Sequence, residues 1–128
     1  SGRHLWDFIV NSSGRHFWDH IVGGTGRWDV GVTSKPVNFE NVHAQTRQWR
    51  ISGRDGRCTA ISPSEDSKRV LTERPTRIRI SLNCEGGQVS FFDAKTAALL
   101  HTFSDASLVG ETLLPYFYLG KGVCMTLP

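Results

Sequence analysis

Alternating apolar and polar residues predict β-strands along most of this chain. The clearest run is Arg77–Asn83, in which three aliphatic side chains alternate strictly with polar ones. The turn-like Cys84–Gly87 follows this run, and Gln88–Asp93 then continues with strand-forming residues. Alternation next to a glycine-containing turn is typical of an antiparallel hairpin that buries one face.

Shorter runs of the same kind occur along the rest of the chain. Together they give about ten strands, with turn signals roughly every 8 to 12 residues and no helical period. The pattern therefore predicts an all-β sandwich of two antiparallel sheets. Its other strands are expected at 13–22, 28–32, 48–51, 57–61, 69–72, 99–103, 113–118 and 123–127, with polar loops at 34–48 and 62–68.

The first 22 residues contain a duplication that divides the chain. Ser1–Val10 reads SGRHLWDFIV and Ser13–Val22 reads SGRHFWDHIV, so eight of ten positions are identical. Two copies with a period of 12 residues do not make a repeat architecture. We therefore expect a duplicated strand-like segment at residues 1–12, serving as a substitute strand, a swapped strand or a tail, and one domain at residues 13–128.

One position distinguishes the two copies on their apolar face. In the second copy His20 shares this face with Trp18 and Val22, whereas the first copy has Phe8 at the matching place. The sequence offers no second ligand for a metal site at His20. We expect His20 to be partly buried and hydrogen-bonded, or to lie at an edge.

Two motifs resemble the SPRY domain, in the PRY-SPRY form found at the C termini of tripartite-motif proteins and butyrophilins. Trp28–Val32 reads WDVGV and matches the family's W-x-V/L-G-V. Leu82–Phe92 reads LNCEGGQVSFF and matches its L-D-Y-E-x-G-x-V-S-F-Y, in the expected order and spacing. The resemblance implies a SPRY β-sandwich over residues 13–128 that lacks most of the PRY segment.

The same resemblance implies a non-catalytic module that recognises a protein or peptide. In PRY-SPRY domains the tryptophan matching Trp49 lines a shallow binding face, beside an aromatic residue of a late strand that matches Leu114–Tyr118. Aromatic and arginine side chains often anchor interfaces. Trp49 follows a long polar loop, and its neighbours Gln48 and Arg50 are polar. We therefore expect the Trp49 side chain to be partly exposed. The predicted partner-binding residues are Trp49, Arg47, Arg50, Phe117, Tyr118, Arg54 and Arg57, and the predicted core residues are Trp18, Trp28, Val30, Ile78, Ile80, Leu82, Val89 and Phe91.

Two other functional interpretations remain open. The first is a sensor of small phosphorylated ligands, as in butyrophilin intracellular domains, which requires Arg47, Arg54, Arg57 and His43 to converge on one concavity. The second is an incomplete domain without independent function, whose exposed sheet edge would pair with another chain, for example in a strand-swapped dimer.

Composition and charge exclude several classes of function. The net charge of +3 comes from scattered residues, eleven arginines among them, and forms no basic stripe typical of nucleic-acid binding. No apolar run approaches the ~18 residues that cross a membrane. The hydrophobic fraction of 38% is that of a folded domain.

Candidate chemistry is equally sparse. Cys58, Cys84 and Cys124 lack a C-x-x-C pair, which predicts reduced thiols of a cytoplasmic protein without bound metal. Gly23–Arg27 is glycine-rich but lacks the Lys-Ser/Thr of a phosphate-binding loop. No serine or cysteine has the sequence setting of a nucleophile. We therefore expect neither enzymatic activity nor a cofactor, and any ubiquitin-ligase activity would reside in a RING domain that this chain does not contain.

Overall fold

The structure, a computed structural model, describes residues 15–24, 26–34, 47–64, 68–110, 112–119 and 123–126. The duplicated segment at residues 1–12 and most of the loop predicted at 34–48 lie outside these ranges. Within them the chain forms strands and one turn of 3-10 helix, Ala106–Leu108. The strands are β1 Arg15–Gly24, β2 Trp28–Ser34, β3 Gln48–Arg54, β4 Arg57–Ile61, β5 Arg69–Leu71, β6 Arg77–Asn83, β7 Gln88–Asp93, β8 Leu99–Ser104, β9 Leu113–Leu119 and β10 Val123–Thr126.

The strands form two five-stranded sheets, which confirms the predicted β-sandwich. Sheet A has the order β10-β1-β6-β7-β8, and sheet B has the order β5-β4-β3-β2-β9. Every described pair of neighbouring strands is antiparallel. Each sheet therefore has an inner face towards the core and an outer face towards solvent.

Side chains alternate between these faces as the sequence predicts. On β6 the aliphatic residues Ile78, Ile80 and Leu82 are fully buried, whereas Arg77 and Arg79 are exposed. This follows from the two-residue period of a strand, which places successive side chains on opposite faces. The predicted core is confirmed, because all eight of its members are buried: Trp18, Trp28, Val30, Ile78, Ile80, Leu82, Val89 and Phe91.

A carboxylate on the outer face of sheet A ties β1 to β6. Asp19 lies opposite Arg79 in the register, and it is only 6% exposed. Arg79 donates from Nε to Oδ1 at 2.8 Å and from Nη2 to Oδ2 at 3.0 Å, and Arg77 donates from Nε to Oδ2 at 3.1 Å. The hydrogen bond from Arg79 is the main reason that the pKa of Asp19 is lowered.

The hairpin between β3 and β4 turns through Asp55 and Gly56. Both residues have positive φ, 52° and 77°. Two central residues with positive φ define the type I′ turn, for which Asp-Gly is a favoured sequence. The turn fixes the register so that Arg54 lies directly opposite Arg57 at one end of sheet B.

His20 differs from its prediction. It is fully buried on the inner face of β1, opposite Ile78, and its ring centroid lies 6.2 Å from that of Phe117. Among the described residues, neither ring nitrogen has a hydrogen-bond partner. The expectation of a partly buried, hydrogen-bonded or edge histidine is therefore wrong, because β1 is not an edge strand and its inner face packs against sheet B, which carries Phe117. Burial lowers the pKa of His20 to about 4, so the ring is neutral at pH 7.

We expect this buried histidine to make the domain sensitive to acid. The unfolded chain protonates His20 near its ordinary pKa of 6.5, whereas the folded domain does so only near 4. Its contribution to stability is complete above about pH 6.5 and is lost as the pH falls towards about 4, by at most about 3 kcal/mol. Urea unfolding of the wild type and of His20→Phe, measured between pH 8 and pH 4, checks this.

His20→Phe should flatten the pH profile between pH 6.5 and 4, whatever its effect on absolute stability. The pKa of His101 is also lowered by burial, and this second histidine is present in both proteins as an internal control. Parallel pH profiles for the two proteins would contradict the prediction.

Candidate partner-binding face

The outer face of sheet B carries most of the predicted binding residues. Along β3 the residues Gln48, Arg50, Ser52 and Arg54 point away from the core, since they alternate with the buried Trp49, Ile51 and Gly53. The register continues this face onto the neighbouring strands. It places Asp29 of β2 between Ser52 and Tyr118, and Arg57 of β4 next to Arg54.

A buried carboxylate organises the centre of this face. The Asp29 side chain is 1% exposed, and Arg27 Nη2 and Arg50 Nη1 each donate to it at 3.1 Å. Ser52 Oγ donates to the same carboxylate, and Arg50 Nε donates to Gln48 Oε1 at 3.1 Å. These donors replace the water that a carboxylate loses on burial. Arg50, with a side chain that is 17% exposed, is thus a structural part of the face.

Gly31 allows β2 and β3 to come together beneath this network. A Cβ at Gly31 would overlap the Trp49 carbonyl oxygen and lie 2.9 Å from Arg50 Cβ. No larger residue fits there without moving the backbone of β3. The glycine of the W-D-V-G-V motif therefore has a steric role in holding Arg50 against Asp29.

Arg27 is the member of this face that the sequence reasoning missed. Its side chain is 52% exposed, and its guanidinium lies 5.5 Å from the centroid of the Tyr118 ring. The arginine is therefore held by a carboxylate and by an aromatic ring at once. The sequence did contain a signal for this role, because Arg27 and Asp29 are two residues apart and so share a strand face.

The exposed arginines line a concavity at the β3–β4 hairpin. Its volume is about 460 Å³, and it opens to solvent. Arg74 lies over the hairpin turn, since its Nε would be 3.8 Å from a Cβ placed on Gly56. The walls of the concavity are formed by Arg27, Arg54 and Arg57 with Ser52, Gly53, Asp55 and Thr59.

Trp49 belongs to the core, so its predicted partial exposure is wrong. The side chain is fully buried, and Nε1 donates to Asp105 Oδ2 at 3.2 Å. The Arg47 guanidinium lies 5.5 Å from the centroid of the Trp49 ring. The polar neighbours Gln48 and Arg50 did not indicate exposure, because adjacent residues of a strand point to opposite faces. Trp49 and Arg47 therefore lie outside the arginine-lined concavity.

Asp105 fixes Trp49 to the short 3-10 helix. Its Oδ1 accepts hydrogen bonds from Ser107 N at 2.9 Å and from Ser107 Oγ at 2.8 Å. The bond from the Ser107 backbone is the main cause of the lowered pKa of Asp105. The carboxylate is thus ionised at neutral pH while it accepts the indole proton of Trp49.

The two predicted aromatic residues of β9 lie in different surroundings. Phe117 pairs with Val30 in the register and lies beside His20, whereas Tyr118 pairs with Asp29 and lies under Arg27. They are 44% and 47% exposed, respectively. The structure thus brings Arg54, Arg57 and Tyr118 to one face, and it places Phe117 at the edge between the sheets.

The described ranges offer little for metal binding, membrane crossing or nucleophilic chemistry. The described part of the chain contains no group of three or more side chains suited to a metal ion. It also contains no helix with the length and apolar character needed to cross a membrane. Cys58 and Cys84 are free thiols, and burial raises the pKa of Cys58 to about 11, which makes it a poor nucleophile at neutral pH.

Comparison with known proteins gives matches over nearly the whole chain. Residues 15–128 match the family described as the SPRY domain. The chain is 34% identical over 119 residues to the ovary form of nuclear factor 7 from Xenopus laevis, covering 91% of this chain and 17% of that protein. It is 32% identical over 134 residues to the E3 ubiquitin-protein ligase TRIM58 of Mus musculus, covering 100% of this chain and 23% of that protein.

Solved structures extend the comparison to the fold. The crystal structure of the TRIM65 PSpry domain matches with a TM-score of 0.70 at 20% sequence identity, covering 91% of this chain and 64% of that one. At this identity the likeness concerns the fold alone. The chain spans about a fifth of the length of the two relatives above, 17% and 23%.

We expect Trp49→Ala to destabilise the domain as much as Trp28→Ala. Both tryptophans are buried, at 0% and 6% exposure, and truncating a buried aromatic side chain typically costs about 3–5 kcal/mol. Trp49→Phe keeps a six-membered aromatic ring but loses the pyrrole ring and the bond to Asp105. It should therefore cost less than Trp49→Ala but more than the ~1 kcal/mol of one hydrogen bond. Denaturant unfolding measures all three variants.

Tyr118→Ala is the matched control on the exposed side of sheet B. Its ring is 47% exposed, so its truncation should cost much less than that of Trp49. A smaller loss of stability for Trp49→Ala than for Tyr118→Ala would show that Trp49 is not a core residue.

Proposed function

Since the chain belongs to the SPRY domain family, whose match covers residues 15–128, we propose that it is a non-catalytic module that binds a protein or peptide partner. The observation that carries this proposal is the outer face of sheet B. There, exposed arginine and tyrosine side chains lie above a buried hydrogen-bond network. Arginine and tyrosine are enriched among the residues that dominate binding energy at protein interfaces.

The predicted binding residues divide into two groups in this proposal. Arg54, Arg57 and Tyr118 contact the partner, together with Arg27. Arg50 supports the face through its bond to Asp29. Trp49 supports it from the core, where it donates to Asp105 and lies beside the Arg47 guanidinium. Phe117 extends the contact area at the edge of the sheet. Support of this kind favours affinity, because held side chains lose less conformational entropy on binding.

In the intact protein this module would select the target. The relative from Mus musculus is named an E3 ubiquitin-protein ligase, and the chain corresponds to 23% of its length. We propose that any ligase activity belongs to a RING domain elsewhere in the parent protein. The module itself needs neither a cofactor nor nucleic acid. The free thiols of Cys58 and Cys84 are consistent with a reducing compartment such as the cytoplasm.

A second candidate is the sensing of small phosphorylated ligands. The convergence of Arg54 and Arg57 on one concavity favours it. Arg47 does not belong to the walls of that concavity, and His43 lies outside the described residues. The candidate therefore has two of its four expected basic residues in place, and it ranks below protein recognition. The strand-swapped dimer likewise remains a prediction, since it depends on residues 1–12.

Capture of partners by the immobilised domain tests the proposed face. We expect Tyr118→Ala to lower affinity for a captured partner by about tenfold or more, because it removes an aromatic anchor and the ring that holds Arg27. Quantitative proteomics identifies the captured proteins, and titration with the purified partner gives the affinity. Thermal unfolding must show that the variant remains folded.

Phe17→Ala is the matched control on the opposite sheet. Phe17 lies on the outer face of sheet A and is 62% exposed, so its loss removes a similar aromatic surface far from the proposed face. Partner capture that is lost with Phe17→Ala and retained with Tyr118→Ala would place the binding face on sheet A and refute the proposal.

A further inference from the structure

We propose that the concavity at the β3–β4 hairpin binds an acidic segment of the partner, with Asp or Glu carboxylates bridging Arg54 and Arg57. The inference rests on the proposed function, because it names the chemistry that the same face recognises. It goes beyond that function by assigning Arg27, Arg54, Arg57 and Arg74 to one anion-binding site. Of these four arginines, only Arg54 and Arg57 are predicted from the sequence to bind a partner.

Two like charges lie opposite each other at the hairpin. Arg54 and Arg57 are directly opposed across β3 and β4, and both are exposed. Like charges at directly opposite positions of a sheet destabilise it. The two-residue turn through Asp55 and Gly56 prevents the strands from shifting to separate them. A carboxylate placed between the two guanidiniums would relieve this repulsion and accept hydrogen bonds from both.

Arg27 is preorganised beside these two arginines. This residue lines the same concavity, and its guanidinium is fixed by Asp29 at 3.1 Å and by the Tyr118 ring at 5.5 Å. Its side chain is nevertheless 52% exposed, so part of it remains accessible to a ligand. A ligand that reaches Arg27 finds a side chain whose freedom is already reduced.

Positive charge predominates around the concavity. Arg74 lies over Gly56 and adds a fourth guanidinium beside the three that line the concavity. The carboxylate of Asp29 is buried and already bound to Arg27 and Arg50. Asp55 is the acidic residue among the lining residues. The concavity therefore presents an excess of positive charge, which attracts anions at low ionic strength.

The surroundings favour carboxylates of a peptide over a compact phosphate. The concavity is open to solvent and adjoins the face that carries Tyr118, so an extended chain can cover both. The volume of about 460 Å³ has room for a few acidic side chains.

Binding of short defined probes to the full chain tests the proposal. The probes are hexaglutamate, hexaglutamine, a phosphoserine peptide and inorganic phosphate, at about 50 mM salt, where charge attraction is only partly screened. We expect hexaglutamate to bind most tightly and hexaglutamine not to bind. The double variant Arg54→Gln/Arg57→Gln should lose at least about tenfold in affinity for hexaglutamate.

A charge-matched control separates a site from general attraction. Arg15→Gln/Lys95→Gln removes two exposed positive charges outside the concavity and should bind hexaglutamate as the wild type does. Equal losses in the two double variants, tighter binding of phosphate or phosphopeptide than of hexaglutamate, or no binding of any probe would each overturn the proposal.

Stability without ligand gives an independent measurement. Removing one of the opposed charges with Arg57→Gln should raise the Tm of the unliganded chain by about 1–4 °C, because it relieves the repulsion across the hairpin. Hexaglutamate should raise the Tm of the wild type and leave that of Arg54→Gln/Arg57→Gln unchanged. A lower Tm for unliganded Arg57→Gln would show that repulsion between Arg54 and Arg57 does not destabilise the hairpin, contrary to the proposal.

The result for a captured protein partner separates this proposal from the proposed function. If Tyr118→Ala abolishes partner binding and Arg54→Gln/Arg57→Gln does not, the face is correct and the acidic chemistry is wrong. If both variants abolish it and the charge-matched control does not, both proposals are supported. If neither variant affects it, both are wrong.

Discussion

In each sheet of the sandwich, a nearly buried carboxylate on the outer face is bound by two arginine side chains and directly follows a tryptophan of the core. Trp18 and Trp28 point inward, and the next residue of each, Asp19 or Asp29, points outward and is nearly buried. Arg77 and Arg79 bind Asp19 across β1 and β6. Arg27, which directly precedes β2, and Arg50 of β3 bind Asp29. Loss of one donor would leave a nearly buried carboxylate with only part of its hydrogen bonds, which is unfavourable.

This constraint gives the arginines of sheet B different roles although they share one surface. Arg50 is 17% exposed and belongs to the framework, whereas Arg27 is 52% exposed and serves both Asp29 and the Tyr118 ring. Arg54 and Arg57 lie outside the network, at a turn that places their like charges opposite each other. The residue type alone does not reveal these roles. They follow from the distance of each arginine from the buried carboxylate.

Short-range patterns were sufficient to predict most of the fold. The alternation in β6 identified its buried face. The type I′ turn at Asp55 and Gly56 has a sequence that this turn type favours. The candidate site was less predictable, since it depends on contacts between distant strands. The burial of Trp49 depends on Asp105, which is 56 residues away in the chain. The buried His20 likewise contacts Phe117, which lies on β9 of the other sheet.

Strand alternation separates core residues from surface residues. It therefore also separates residues under selection for stability from residues that are free to change at the surface. Substitutions at Arg54, Arg57 or Tyr118 change what the surface presents while the inward residues of the same strands stay as they are. Such positions can diverge quickly between duplicated genes that acquire different targets. Asp29 and Arg50 are the exception, because a change in either disturbs both the sheet and the proposed binding face. We expect lineages to retain that pair as a unit while the surrounding surface diversifies.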